Sequence, residues 1–111
     1  MFRGLDLTDE QKAQIKQIRE TSKEIIKPIR EQMKVNRQKL AELTAGGNFD
    51  QAQIQAIAQQ QGSLSAQMIV ERERVKAQIF QILTPEQKVK AAELKAQRQQ
   101  KMQERRQNRN E

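Results

Sequence analysis

The sequence contains no His, no Cys, no Trp and no Tyr. Without imidazole or thiolate it offers no ligands for a zinc, copper or iron–sulfur centre, no His base and no thiol nucleophile. No disulfide is needed, which by itself leaves the compartment open. Pro occurs twice and Phe, at Phe2, Phe49 and Phe80, three times. The longest uninterrupted apolar run, Met68-Ile69-Val70, is three residues, against the roughly 20 that a bilayer crossing needs. Leu, Ile, Val and Phe together number 24 of 111, about one fifth, close to the level at which chains stay unfolded. One domain with a thin core is therefore the most the chain can build. Glu71 and Glu73 flank Arg72 and Arg74 on different helical faces, and no carboxylate pair is spaced like a buried acid–base couple. Gly46-Gly47 closes a helix and lacks the Lys-Ser/Thr of a phosphate-binding loop. No catalytic residue, no metal site and no cofactor is expected.

What is present is helix former and positive charge. Twenty Gln, few Gly and no strand-like alternation point to helix throughout. Punctuation falls at Ala45-Gly46-Gly47-Asn48, where two glycines can end a helix and turn the chain, and at Leu83-Thr84-Pro85-Glu86-Gln87. There Thr84 can cap, Pro85 suits the first helical position and Gln87 completes a capping box. The same signature opens the first helix at Leu7-Thr8-Asp9-Glu10-Gln11. Ile15, Ile18, Ile25, Ile26, Ile29, Met33, Leu40 and Leu43 form one apolar stripe, and Ile54, Ile57, Leu64, Met68, Val75, Ile79 and Ile82 a second, with Asp50 as the cap between them. Two long helices joined by a short turn should pack antiparallel. Pro28 then falls opposite about residue 66, near Gly62, and should bend the hairpin at its middle. Stripes so long and one-sided on so small a chain favour a homodimer. From Arg98 the chain has one apolar residue, Met102, in fourteen. The expected division is a helical domain at 1–97 and a basic, disordered tail at 98–111.

The net charge is +7 and the pI about 10.1. Residues 1–45 contribute +3, residues 46–94 nothing and residues 95–111 +4. Lys12, Lys16, Arg19, Lys23, Lys27, Arg30, Lys34 and Arg37 follow one another by 4, 3, 4, 4, 3, 4 and 3 residues, a period near 3.6 that lines them along one helix face. From Lys16 onward each sits one residue after the apolar seam of Ile15, Ile18, Ser22, Ile26, Ile29, Met33 and Asn36. A basic stripe beside an apolar one can hold a flexible partner by long-range attraction and apolar contact. The bland alternative is a solvated face whose stems lie over the core, relieved by Glu20, Glu24 and Glu31.

With two Leu-Thr-x-x-Gln copies about 76 residues apart, the second extended as Ile79-Phe80-Gln81-Ile82-Leu83-Thr84-Pro85-Glu86-Gln87-Lys88, the sequence resembles the Spy/CpxP family of periplasmic proteins. Met1-Phe2 and Asn48-Phe49-Asp50 add to the likeness, which covers roughly residues 1–98. The resemblance implies an all-α fold: an elongated, bent antiparallel helical hairpin with a short C-terminal helix, dimerising into a curved cradle. It implies ATP-independent chaperoning of unfolded or partly folded client proteins, and a periplasmic location after removal of a leader, since none is visible here. Leu7, Thr8, Gln11, Leu83, Thr84 and Gln87 carry over as structural positions that bring the two helix starts together. Joined to the basic and apolar stripes, that implied activity makes Lys16, Arg19, Lys23, Ile26, Lys27, Ile29, Arg30, Met33, Lys34 and Arg37 the expected client-binding residues. Metal-sensing relatives use His and carboxylate ligands, and this chain has no His. A role restraining an envelope-stress sensor kinase stays open beside chaperoning. The alternative from another class, a basic nucleic-acid-binding helical protein, has the charge but neither stacking aromatics beyond three Phe nor a known module.

Overall fold

The computed structural model describes residues 2–110, which form helices and turns with no strand among them. Helix α1 spans Asp9–Thr44, a single 3-10 turn covers Ala45–Gly47, α2 spans Gln51–Gln81 and α3 spans Pro85–Asn110. Local chemistry sets each start. Thr8 Oγ1 accepts from the Gln11 amide at 3.1 Å while Gln11 Oε1 accepts from the Thr8 amide at 3.0 Å, the reciprocal capping box expected at this sequence. Asp50 caps α2 by accepting from the Gln53 amide at 3.2 Å. Thr84 and Gln87 repeat the box at α3, at 2.9 and 3.2 Å. At the turn, Gly46 and Gly47 take φ of 73° and 82°, a left-handed conformation that costs a residue with a Cβ far more than glycine.

The chain then folds back so that Gln11 meets Ile82, Ser22 meets Glu71, and Asn36 meets Gln61. The principal extents are 56 × 44 × 16 Å. The longest matches the roughly 54 Å expected of α1 at 1.5 Å per residue. Pro28 lies inside α1, between the Ser22 and Asn36 levels; the Glu24 carbonyl loses its donor there, and the helix continues through it.

The apolar core is small and sits at the open end of the hairpin, where Leu5, Ile15, Ile79 and Leu83 are buried. Toward the glycine turn Leu40, Leu43, Ile54, Ile57 and Leu64 are only half-buried. Between these regions polar layers interrupt the apolar seam. Asn36 is 1% exposed; its Oδ1 accepts from Gln32 Nε2 at 3.1 Å and its Nδ2 donates to Gln61 Oε1 at 3.0 Å, while Gln61 Nε2 donates to the Met33 carbonyl at 3.1 Å. Closer to the core, Glu71 is buried against Ser22 and forms a two-point pair with Arg74 on its own helix. No buried polar side-chain atom among the described residues lacks a partner, so these layers fix register without leaving a desolvated group unpaired.

The Glu71 pair makes the hairpin acid-sensitive. The Arg74 guanidinium, helped by the Ser22 hydroxyl and opposed by burial, holds the Glu71 carboxyl below its ordinary value. A lowered folded pKa gives a contribution that is present above the unfolded value and is lost as pH falls through the folded one. Glu71→Gln is therefore expected to melt below the parent at neutral pH, with the gap closing as pH falls below the ordinary carboxylate range. Thermal melts of both proteins across that range check it; a gap independent of pH would assign the loss to packing.

The last helix is longer than expected. In place of a disordered stretch from Arg98, α3 runs through Asn110. Gln, Lys, Arg, Glu, Met and Ala are all good helix formers, and Pro85 is the last Pro and Gly62 the last Gly. Scarcity of apolar residues predicts that the segment buries nothing, and residues 95–110 are indeed exposed throughout. It does not forbid helix.

Candidate functional site

The two Leu-Thr-x-x-Gln copies meet across the open end of the hairpin. Gln11 Nε2 donates to Gln87 Oε1 at 2.8 Å, and Gln87 Nε2 donates to Gln11 Oε1 at 3.0 Å, a cyclic amide pair. The remaining Gln11 proton goes to the Ile82 carbonyl at 3.1 Å, and that of Gln87 to the Asp6 carbonyl at 2.8 Å. Ile82 stands two residues before Thr84, and Asp6 two before Thr8. The arrangement is thus twofold in its chemistry: each Gln caps its own helix, pairs with the other, and ties down the chain entering the other helix. Every donor and acceptor of both amides is used. Reversing either amide would set oxygen against a carbonyl oxygen, so the pattern also fixes their orientation. Leu83 is buried beneath this clasp and Leu7 half-buried.

A groove runs from the clasp along the α1–α2 seam. Its first part has Phe2, Leu7 and Ile15 as floor and Lys16, Arg19 and Lys23 as wall. It continues past Ser22, Ile26 and Val75 beside Lys23, Lys27 and Arg30, and over Met68, Val75 and Ile79 between Arg19 and Arg30 on one side and Arg72 and Lys76 on the other. Arg19 borders all three parts. Glu20 and Glu31 are the acidic residues along it.

The structure gathers Lys16, Arg19, Lys23, Ile26, Lys27 and Arg30 on this groove. It does not bring Ile29, Met33, Lys34 and Arg37 to it. Ile29 and Met33 are half-buried in the seam, and Lys34 and Arg37 project into solvent nearer the turn. The ion pairs among the described residues all lie on α2, as Arg72–Glu73, Arg74–Glu71 and Lys76–Glu73. The relief expected from Glu20, Glu24 and Glu31 therefore does not take the form of direct pairing, and the α1 cations stay available to a partner. Phe2, Arg72 and Lys76 also belong to the groove, beyond the stripe that the spacing on α1 announces. The signal for the α2 pair was there: with Met68, Val75 and Ile79 they share one helical face.

Clasp and groove together define a class: a small, elongated helical scaffold with an open basic and apolar surface. No described helix is long and apolar enough to cross a membrane, and no described cluster of acidic residues could hold a metal ion. Residues 1–95 match the family described as LTXXQ motif family protein. The chain belongs to that family, the Spy/CpxP-like periplasmic proteins. No solved structure matches the chain.

Proposed function

We propose that this protein is an ATP-independent periplasmic chaperone, acting as a homodimer, that holds unfolding proteins in the α1–α2 groove and suppresses their aggregation. The observation that carries this reading is the groove itself, where half-buried Ile26, Met68 and Val75 form a floor between rows of cations without carboxylate partners across it. Such a surface attracts extended chain at a distance and retains it by apolar contact, with nothing to fix one sequence. Family membership supports the periplasmic location. In the test, a denatured client is diluted with and without the protein, in the absence of nucleotide. Light scatter from the client should fall, and the protection should weaken as salt rises past ~0.15 M. No suppression at any ratio and low salt would overturn the reading.

The thin core supports the dimer. Ile69, Val70 and Phe80 remain 50%, 68% and 41% exposed on α2, and a second copy is the simplest cover for them. Static light scattering at micromolar concentration should give about twice the chain mass of 12.9 kDa. A mass equal to one chain would exclude the dimer without touching the groove.

A further inference from the structure

We propose that the basic face of α3 docks on the anionic headgroup surface of a phospholipid bilayer. Gln87, Ala91, Leu94, Arg98, Lys101, Arg105 and Arg109 are spaced by 4, 3, 4, 3, 4 and 4 residues, so they lie along one face of the helix. The first turns of that face are used internally. Gln87 is held in the clasp, and Leu94 sits against Gly4, where an added Cβ would come within 3.3 Å of its Cδ1. Arg3 then joins Arg98 and Lys101 around the shallow depression beside Leu94. Beyond it the same face carries Lys101, Arg105 and Arg109, with Met102, which is 56% exposed, and Asn108 along its two edges. The acidic residues of α3, Glu86, Glu93 and Glu104, lie on one flank of the row, about 100–120° round the helix from its centre, with Glu104 three residues after Lys101.

This segment has no partner within the chain, since residues 95–110 are all exposed. An isolated helix of this length is marginal in water, and its cations repel one another along the row. Both costs are relieved by a surface carrying many negative charges. The row is straight, advances about 5–6 Å per cation and spans roughly 16 Å, which suits a plane of phosphate groups. Met102 among the cations can enter the boundary between headgroup and acyl chain. A bilayer is also a surface that periplasmic proteins meet on both sides.

The experiment is co-sedimentation of the full chain with vesicles at low salt. About a third of the lipid is phosphatidylglycerol in one set and the other is phosphatidylcholine alone. The parent should sediment with the anionic vesicles and stay in solution with the neutral ones. Replacing Arg98, Lys101, Arg105 and Arg109 by Gln should lower partitioning by up to roughly a thousandfold, with helicity kept because Gln is a good helix former. Replacing Arg98, Arg105 and Arg109 by Lys should preserve binding, which separates charge from folding. Replacing Lys23, Lys27 and Arg30 by Gln should leave most of the binding in place, which separates α3 from net charge. The proposal falls if the parent ignores anionic vesicles, if the α1 and α3 variants lose binding equally, or if α3 retains soluble polyphosphate, nucleic acid or an acidic peptide but not vesicles. The Gln variant of α3 should still suppress client aggregation, so this result is independent of the groove reading.

Discussion

Gln11→Ala is expected to destabilise the fold by about 2–4 kcal/mol, several bonds at roughly 1 kcal/mol each with extra cost where a buried partner is left unpaired. The substitution removes the return bond to the Thr8 amide and both bonds to Gln87, and leaves the Ile82 carbonyl without its donor, at a residue that is only 7% exposed. For a chain of this size that is a fall in melting temperature of about 10 °C or more. Gln87→Ala should cost less, about 1–3 kcal/mol, because water can replace some of its bonds. The double variant should cost less than the sum, since the amide pair is lost only once. Thr84→Ala removes one cap and should cost about 0.5–2 kcal/mol. Gln11→Glu keeps the acceptors and loses both donors, setting a carboxylate against the Ile82 carbonyl; part of its loss should return when the group is protonated. Thermal unfolding followed by circular dichroism tests the series. Additive single effects would show that the two motifs cap their own helices and nothing more.

Charge reversal at Lys23, Lys27, Arg30 and Lys34 is expected to abolish most client protection at low salt. Four cations become four anions, a change of eight charges on one face of a chain whose net charge is +7. Clients bearing acidic segments would then be repelled where they were drawn in, and their capture should slow by one to three orders of magnitude. Three of the four residues border the groove and Lys34 lies beyond it. The variant lacking Lys34→Glu should therefore behave almost as the full one. Helicity should persist because the seam residues one position earlier are untouched. Deleting residues 98–111 is the control: it removes five cations and leaves the groove whole. Activity that survives the reversal and vanishes with the deletion would move the binding site to α3.

The elements legible in the sequence were those written in residues with one dominant use. Thr8, Thr84, Asp50, Gly46 and Gly47 each act locally, and each does in the structure what its position announced. The periodic cations were equally plain, because 3.6-residue spacing alone places them on one face. Ser22 and Asn36 stood on the apolar seam in the sequence, yet their partners could not be found there. Gln61 is one of twenty Gln, and nothing local distinguishes it from Gln59 or Gln60. Glu71 was hidden likewise by its neighbours, since alternating charges at 71–74 read as surface until the fold turns one of them inward. The groove was half visible: α1 supplied its wall by pattern, whereas Arg72, Lys76 and Phe2 reach it through the pairing of helices and the path of the first residues. The length of α3 was not legible, because a segment too polar to be buried can still be helical.

The clasp has a consequence for the order of events in folding. It joins positions 76 residues apart, whereas the Asn36–Gln61 bond near the turn joins positions 25 apart. Closing the shorter loop first costs about 1 kcal/mol less chain entropy, so the hairpin is expected to close from Gly46-Gly47 outward, with the two glutamines meeting late. Bonds made after the transition state do little for the speed of folding and much for the speed of its reversal. On that order of events the clasp would act as a kinetic latch over the small core at the open end, slowing the opening of a molecule that has little other apolar burial to hold it closed.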